Sequence, residues 1–182
     1  SVVIAASGSE GTSYHSNYDT VNWYRSVVDA GYGSAAMVTR LTLAIVAMST
    51  QTDLPPWRLA PLARACLRHL DALLARVTDP AIRERVDQLR AGFVDMEVRG
   101  EAIDAALDGA PALEANDLQR VRVGVSRAIQ AFIDPEGLHG RPWFRNLLAA
   151  SDRHDGYAPC MLPEVAEAAE DGDLNRVSAA VD

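Results

Sequence analysis

Apolar residues recur at intervals of three and four along most of the chain beyond Pro56, a spacing that places them on one face of an α-helix. A first helix is predicted over residues 57–77, with its arginines on a solvated face and an apolar face formed by Leu59, Leu62, Ala63, Cys66, Leu70, Leu73, Leu74 and Val77. A second helix is predicted to begin after Asp79, an N-cap residue that is followed by Pro80 at the first helical position. Its apolar positions form one long seam: Ile82, Val86, Leu89, Phe93, Met96, Gly100, Ile103 and Leu107.

Glycines and prolines divide the rest of this region. Gly100, inside the seam, predicts either the close approach of a neighbouring helix or a bend. A third amphipathic helix is predicted over residues 114–133, with apolar Leu118, Val121, Val125, Ala128 and Phe132. Residues 138–162 show no regular pattern, and loops of that length in a compact domain usually have a function. A last helix, or a pair broken near Gly172, begins at Pro163, so the pattern predicts a mainly α fold, a helical bundle.

The amino-terminal part has a different pattern. Residues 1–6 are typical of a buried strand, yet no partner strand is predicted downstream, and a lone strand is not stable. Residues 34–50 are apolar on nearly every side, which predicts a helix buried between layers, and Pro55 and Pro56 then mark the main boundary. These features indicate a piece of an α/β domain, and both ends of the chain are expected to be cut.

Composition and charge narrow the function. The formal net charge is −8 and all 17 basic residues are arginine, which argues against a nucleic-acid partner. Cys66 and Cys160 are far apart and predict neither a disulfide scaffold nor a zinc ribbon, although they could still pair. The most apolar stretch, residues 35–48, is short and interrupted by Thr39 and Arg40, so no membrane segment is predicted.

One polar cluster, residues 14–20, has no packing explanation. His15 follows a predicted strand and a glycine-rich loop, the place where α/β folds carry functional groups. From spacing alone, a lone loop histidine is more often a hydrogen-bonding residue than a metal ligand. Asp19 could orient His15 or cap the helix that is predicted to begin near Val21, and the cap is favoured.

Two motifs carry a family resemblance. Tyr14-His15-Ser16-x-Tyr18-Asp19-Thr20 is followed by Ala131-Phe132-Ile133-Asp134-Pro135-x-Gly137-Leu138-x-x-Arg141-Pro142-Trp143-Phe144-Arg145. Together they closely resemble the carboxyl-terminal part of the glutamate carboxypeptidase II and transferrin receptor family. The resemblance covers the whole chain. It implies that residues 1–51 are the end of an α/β zinc-peptidase domain and that residues 52–182 are a helical, transferrin-receptor-like dimerisation domain.

The resemblance also implies site residues. His15 would be one ligand of a two-zinc site, and Tyr14 would lie against the substrate. The remaining ligands would come from sequence that precedes this chain, so tight zinc binding by the chain alone is not expected. Tyr157 would contact a substrate carboxylate, whereas Gly156 stands where the family has a lysine, which removes the charge that pairs with a glutamate side chain.

Two functions follow as expectations from the resemblance. The first is the carboxyl-terminal portion of a zinc exopeptidase, an aminopeptidase or a carboxypeptidase acting on peptides, which is inactive as an isolated chain. The alternative is a non-catalytic helical dimerisation module. Both imply a homodimer formed through the helical domain, and the resemblance favours an extracytoplasmic location.

A structural role is expected for the conspicuous residues near the second motif. Arg141 is expected to pair with a carboxylate, and Trp143 and Phe144 to be buried against the bundle, so that this segment positions the loop carrying Tyr157. His154 and Asp155 beside Tyr157 are expected to be solvated and are assigned no role.

Overall fold

A computed structural model describes residues 13–51, 53, 58–109 and 113–182, and the chain divides into two compact units between residues 56 and 57. Each unit is described by itself. Helices dominate the described residues, so the prediction of a mainly α fold is confirmed. The predicted strand at residues 1–6 lies outside the described residues, and the assignment of residues 1–51 and 52–182 to two domain types stays a prediction.

The first unit consists of a turn followed by helices. Its helical elements are α1 (Val21–Trp23), the π-helical turn that continues it (Tyr24–Val28) and α2 (Gly33–Thr50). Thr20 caps α1, because its hydroxyl oxygen accepts a 3.1 Å hydrogen bond from the backbone N–H of Trp23. The prediction that Asp19 provides this cap is therefore wrong.

The α2 helix is apolar around its circumference, as predicted, but it is exposed. Leu43 is 62% and Met48 69% accessible, so the prediction of a helix buried between layers is wrong for the described structure. By length and composition alone, α2 could cross a membrane, with a mean hydropathy of 1.3 over 18 residues. Core helices of soluble proteins pass the same test, and Arg40 near its middle is costly at a bilayer centre. The described residues therefore contain no clear membrane span.

The second unit is a helical bundle with a small hairpin. Its elements are α3 (Leu59–Leu74), α4 (Pro80–Gly109), α5 (Ala115–Gln130), β1 (Ala149–Ser151), β2 (Pro159–Met161), α6 (Pro163–Glu170) and α7 (Leu174–Val181). Four helices, α3, α4, α6 and α7, supply most of the core, which contains Ala63, Cys66, Leu67, Leu70, Leu73, Leu74, Ile82, Val86, Phe93, Leu162, Val165, Ala168 and Val177. The predicted apolar faces of the first two helices of this unit are therefore confirmed over most of their length.

The α3 and α4 helices form an antiparallel pair. Asp79 caps α4 as predicted, with one carboxylate oxygen accepting hydrogen bonds of 2.8 and 3.0 Å from the N–H groups two and three residues later. Of the two alternatives for Gly100, the structure shows the close approach, since a Cβ there would lie 2.7 Å from the backbone nitrogen of Ala60. The arginine face of α3 is not simply solvated, because Arg64 pairs with Glu101 of α4 at 3.0 Å.

The region after α4 combines a half-exposed helix with a compact connection. The α5 helix lies within the range predicted for it, and its apolar residues are only half-buried: Leu118, Val121, Val125 and Ala128. Phe132, just beyond α5, packs against the core. Residues 138–162, predicted to be irregular, contain the antiparallel β1–β2 hairpin, in which Ala150 pairs with Cys160. The break near Gly172 is confirmed and separates α6 from α7.

Candidate functional site

A tight turn over residues 13–20 carries Tyr14 and His15. The carbonyl oxygen of Ser13 accepts hydrogen bonds from the backbone N–H (2.9 Å) and the hydroxyl (2.6 Å) of Ser16. The Ser13 hydroxyl, which belongs to a buried residue, donates a 3.3 Å hydrogen bond to the carboxylate of Asp19. These bonds close the turn and leave the Tyr14 side chain exposed.

The backbone of His15 lies in the left-handed region, with φ of +63°. A residue with a Cβ pays about 1–2 kcal/mol to adopt this conformation. The imidazole stacks on the ring of Tyr14, with ring centroids 3.8 Å apart and an interplanar angle of 22°. The turn therefore presents the predicted zinc ligand and the predicted substrate contact as one stacked pair.

The second predicted substrate contact lies on the segment that joins β1 to β2, residues 152–158, here named the Tyr157 loop. Asp152 accepts hydrogen bonds of 2.7 and 3.1 Å from the N–H groups two and three residues later, and Asp155 does the same at 2.7 and 3.0 Å. The bond from the backbone N–H of His154 is the largest cause of a lowered pKa at Asp152. Two consecutive carboxylate turns thus shape the loop, and Asp155 has a structural role that the sequence analysis did not assign.

Gly156 and Tyr157 form the exposed tip of this loop. Gly156 has φ of +72°, a conformation that favours glycine, and no described atom lies within 4 Å of the place where a Cβ would stand. A side chain at this position would meet open space, so its cost comes from the backbone alone. Tyr157 is 74% exposed.

Arg141 ties the hairpin to α6. Its guanidinium pairs with Glu167, with both side chains largely buried, and donates a 2.6 Å hydrogen bond to the carbonyl oxygen of Ser151. It also lies 5.3 Å from the centroid of the Phe144 ring. The predicted carboxylate pairing of Arg141 is confirmed. The predicted burial of Trp143 is wrong, because that side chain is 71% exposed.

An ion-pair network joins the Tyr157 loop to the corner between α6 and α7. Arg153 forms two parallel hydrogen bonds of 2.7 Å with the carboxylate of Asp171. Asp171 also pairs at 2.9 Å with Arg176, which in turn pairs at 3.1 Å with Glu164. The hydrogen bond from Arg153 is the largest cause of the low pKa of Asp171, about 2. Sequence analysis missed this network because its members come from separate elements.

The structure brings Tyr14 and His15 together in the first unit and carries Tyr157 in the second. Among the residues that the structure describes, no three His, Cys, Asp or Glu side chains converge as metal ligands would. A catalytic zinc needs about three protein ligands, so the described residues alone do not fit a zinc site. Cys66 and Cys160 are free thiols, and burial raises the pKa of Cys66 to about 11.

Comparison with known proteins agrees with the motifs. Residues 81–182 match the family model of the transferrin receptor-like dimerisation domain. The chain is also 25% identical, over 169 residues, to a "Probable glutamate carboxypeptidase" of the fungus Arthroderma benhamiae. That match covers 90% of this chain and 23% of the relative, so the chain spans about a quarter of the relative's length. Both findings confirm the resemblance indicated by the two sequence motifs.

Proposed function

Because the chain belongs to the transferrin receptor-like dimerisation domain family, we propose that it forms the carboxyl-terminal portion of a zinc-dependent exopeptidase. In this role it contributes one zinc ligand, part of the substrate pocket and the dimerisation bundle. The observation that carries the proposal is the extent of the match to the fungal relative, which covers 90% of the chain. Residues 57–182 make up a smaller share of the chain than that, so the match also includes much of the first unit.

His15 contributes an imidazole to a zinc site that is completed by residues outside this chain. Zinc bound there would supply Lewis-acid activation of water and of the peptide carbonyl. The left-handed backbone and the stacked Tyr14 ring support a positioned imidazole. Tyr14 would donate a hydrogen bond from its hydroxyl to the oxygen of the peptide carbonyl, where negative charge develops during hydrolysis.

Tyr157 forms part of the wall that receives the terminal residue of the peptide. Its hydroxyl donates a hydrogen bond to a substrate carboxylate. The neighbouring Gly156 provides no cation, and the chain contains no lysine. We therefore expect a weaker preference for a terminal glutamate than a lysine at position 156 would give.

The second unit is proposed to form a homodimer, as the name of the matched family indicates. A related candidate function is a non-catalytic dimerisation module. That function is favoured by the family match itself, which describes dimerisation and no chemistry. Sedimentation of the chain at micromolar concentration tests the association, and a clean monomer would contradict it.

The peptidase proposal is tested with His15→Ala in a longer protein that carries this chain, with His69→Ala as the matched control. His69 is an exposed histidine on α3 with no proposed role in the site. Removing a metal ligand should cost at least about 100-fold in zinc affinity and in peptide hydrolysis, more than removing a group behind a ligand. Bound zinc is measured by elemental analysis and hydrolysis with a series of peptides. Equal zinc content and activity in both variants would refute the role of His15. If the longer protein itself had neither bound zinc nor peptidase activity, the dimerisation module would be favoured.

A further inference from the structure

We propose that Arg153 and Asp171 are positioning residues that hold the Tyr157 loop in one arrangement on the α6–α7 corner. The inference rests on the proposed function, in which Tyr157 contacts the substrate. Neither residue is proposed to touch the substrate. Their role is to fix where the Tyr157 hydroxyl lies.

The first argument is the geometry of the pair. Two parallel hydrogen bonds of 2.7 Å between a planar guanidinium and a carboxylate fix orientation as well as distance. Arg153 lies in the Tyr157 loop, whereas Asp171 is the residue that ends α6. The side chains are 25% and 38% exposed, so the pair lies at the surface and contributes little to the free energy of unfolding.

The second argument is that Asp171 is itself held in place. It stands at the carboxyl end of α6, where the helix dipole disfavours a negative charge, and the last turn of α6 contains no basic residue. Arg153 and Arg176 offset this charge from two sides, at 2.7 and 2.9 Å. Arg176 is fixed in turn by Glu164 on the first turn of α6. The loop is therefore attached to a carboxylate that cannot easily follow it into solvent.

The third argument is that the other contacts of the loop do not fix its direction. The β1–β2 ladder ends at the pair Ser151 and Pro159, and Arg141 binds the chain at Ser151, before the loop begins. The hydrogen bonds made by Asp152 and Asp155 stay within the loop, so they set its shape but not its direction. Arg153 adds contacts from inside the loop to the helical bundle, to Asp171 at 2.7 Å and more weakly to Glu170 at 3.6 Å, and these contacts set the direction.

The consequence for Tyr157 follows from its exposure. Its ring is 74% accessible, so little packing holds it apart from the loop backbone. A group that binds substrate equally well in the ground state and in the transition state raises KM and leaves kcat unchanged when it is displaced. A surface ion pair of small energetic value can thus have a large effect on substrate affinity.

The test compares Arg153→Gln and Asp171→Asn with the matched control Arg76→Gln. Arg76 makes an exposed ion pair with Glu170 at the same end of α6 but lies outside the Tyr157 loop. Its replacement keeps the contacts of Arg153 with Asp171 and, at 3.6 Å, with Glu170. Hydrogen exchange of the chain is measured at the amides of residues 154–158. Both test variants should exchange faster there, by about 10-fold in Arg153→Gln, with unchanged protection in α3 and α4. Asp171→Asn leaves the 3.6 Å pair between Arg153 and Glu170, so the double variant should be no faster than Arg153→Gln alone. The control should exchange like the wild type, and unchanged exchange in both test variants would overturn the inference.

Kinetic measurements on a longer peptidase that carries the chain distinguish a positioning role of Arg153 from direct contact with the substrate. Asp171→Asn should raise KM about 10-fold with kcat within about twofold, and Asp171→Glu should restore part of the loss. If Arg153 bound substrate directly, Asp171→Asn would free it and leave KM unchanged or lower, which would overturn the positioning role. If the longer protein had no peptidase activity but the variants still showed faster exchange, the proposed function would be refuted. The placement of the loop by this pair would still be supported.

Discussion

The contact between α3 and α4 at Gly100 predicts a specific cost for adding one methyl group. Gly100→Ala would place a Cβ 2.7 Å from the backbone nitrogen of Ala60 and 3.0 Å from the Cβ of Leu59. Both obstacles belong to the first turn of α3, so the helices must separate. The same separation weakens the 3.3 Å hydrogen bond from the Ala60 N–H to the carboxylate of Asp104, which caps α3 from α4. Overpacking of this kind costs about 1–3 kcal/mol.

The matched control is Gly92→Ala in the same helix. No described atom lies within 4 Å of a Cβ built at Gly92, so this substitution should gain the ordinary helix preference of alanine, about 1 kcal/mol. Gly100→Ala gains the same helix preference, so the two variants should differ by the overpacking cost alone. Urea unfolding followed by far-UV circular dichroism should therefore show Gly100→Ala less stable than Gly92→Ala by about 1–3 kcal/mol. If Gly100→Ala were as stable as Gly92→Ala, the close approach of α3 to α4 would be refuted.

Three further predictions concern ionisable groups. Glu167→Ala leaves the buried charge of Arg141 without its partner and should lower the free energy of unfolding by about 3 kcal/mol; a loss below about 1 kcal/mol in urea titrations would contradict the buried pair. Cys66 has a pKa of about 11 because of burial, so iodoacetamide at pH 8 should label it only after unfolding, as mass spectrometry can show. The pKa of Asp171 lies at about 2 instead of 3.8, so the stabilisation from its pair with Arg153 is complete above pH 3.8 and is lost as pH falls toward 2; a carboxyl titration by NMR with a midpoint at or above 3.8 would refute it.

The helices were predictable because their signals are local. The spacing of the apolar residues, the N-cap residue and the proline located the start of α4 to within one residue. Asp79 and Pro80 favour a helix start at their own position in the sequence. The cap of α1 was misassigned by one residue for the same local reason. Thr20 and Asp19 are both good N-cap residues, and only the structure shows that the Asp19 carboxylate is engaged by Ser13.

The hairpin and two burial predictions depended on information that the sequence pattern lacks. Strands β1 and β2 contain three residues each, too few to show an alternating pattern. Trp143 was expected to be buried because it is large and aromatic, but burial depends on which neighbours the fold supplies. The expectation for α2 failed likewise, since an apolar surface indicates that a helix has something to bury and does not say what covers it.

In the candidate site, too, the features set by nearby residues could be predicted and those set by distant residues could not. The spacing of Asp152 and Asp155 is a local turn signal, and their carboxylate turns could have been predicted from it. The attachment of the loop could not, since Arg153 and Asp171 are 18 residues apart. One indirect signal was nevertheless present. A helix that ends in Glu170 and Asp171, with no basic residue in its last turn, needs positive charge from elsewhere in the fold, because its own dipole disfavours those carboxylates. In a chain whose cations are all arginines, an acidic helix end is therefore a reason to look for a distant arginine, and here that arginine comes from the Tyr157 loop.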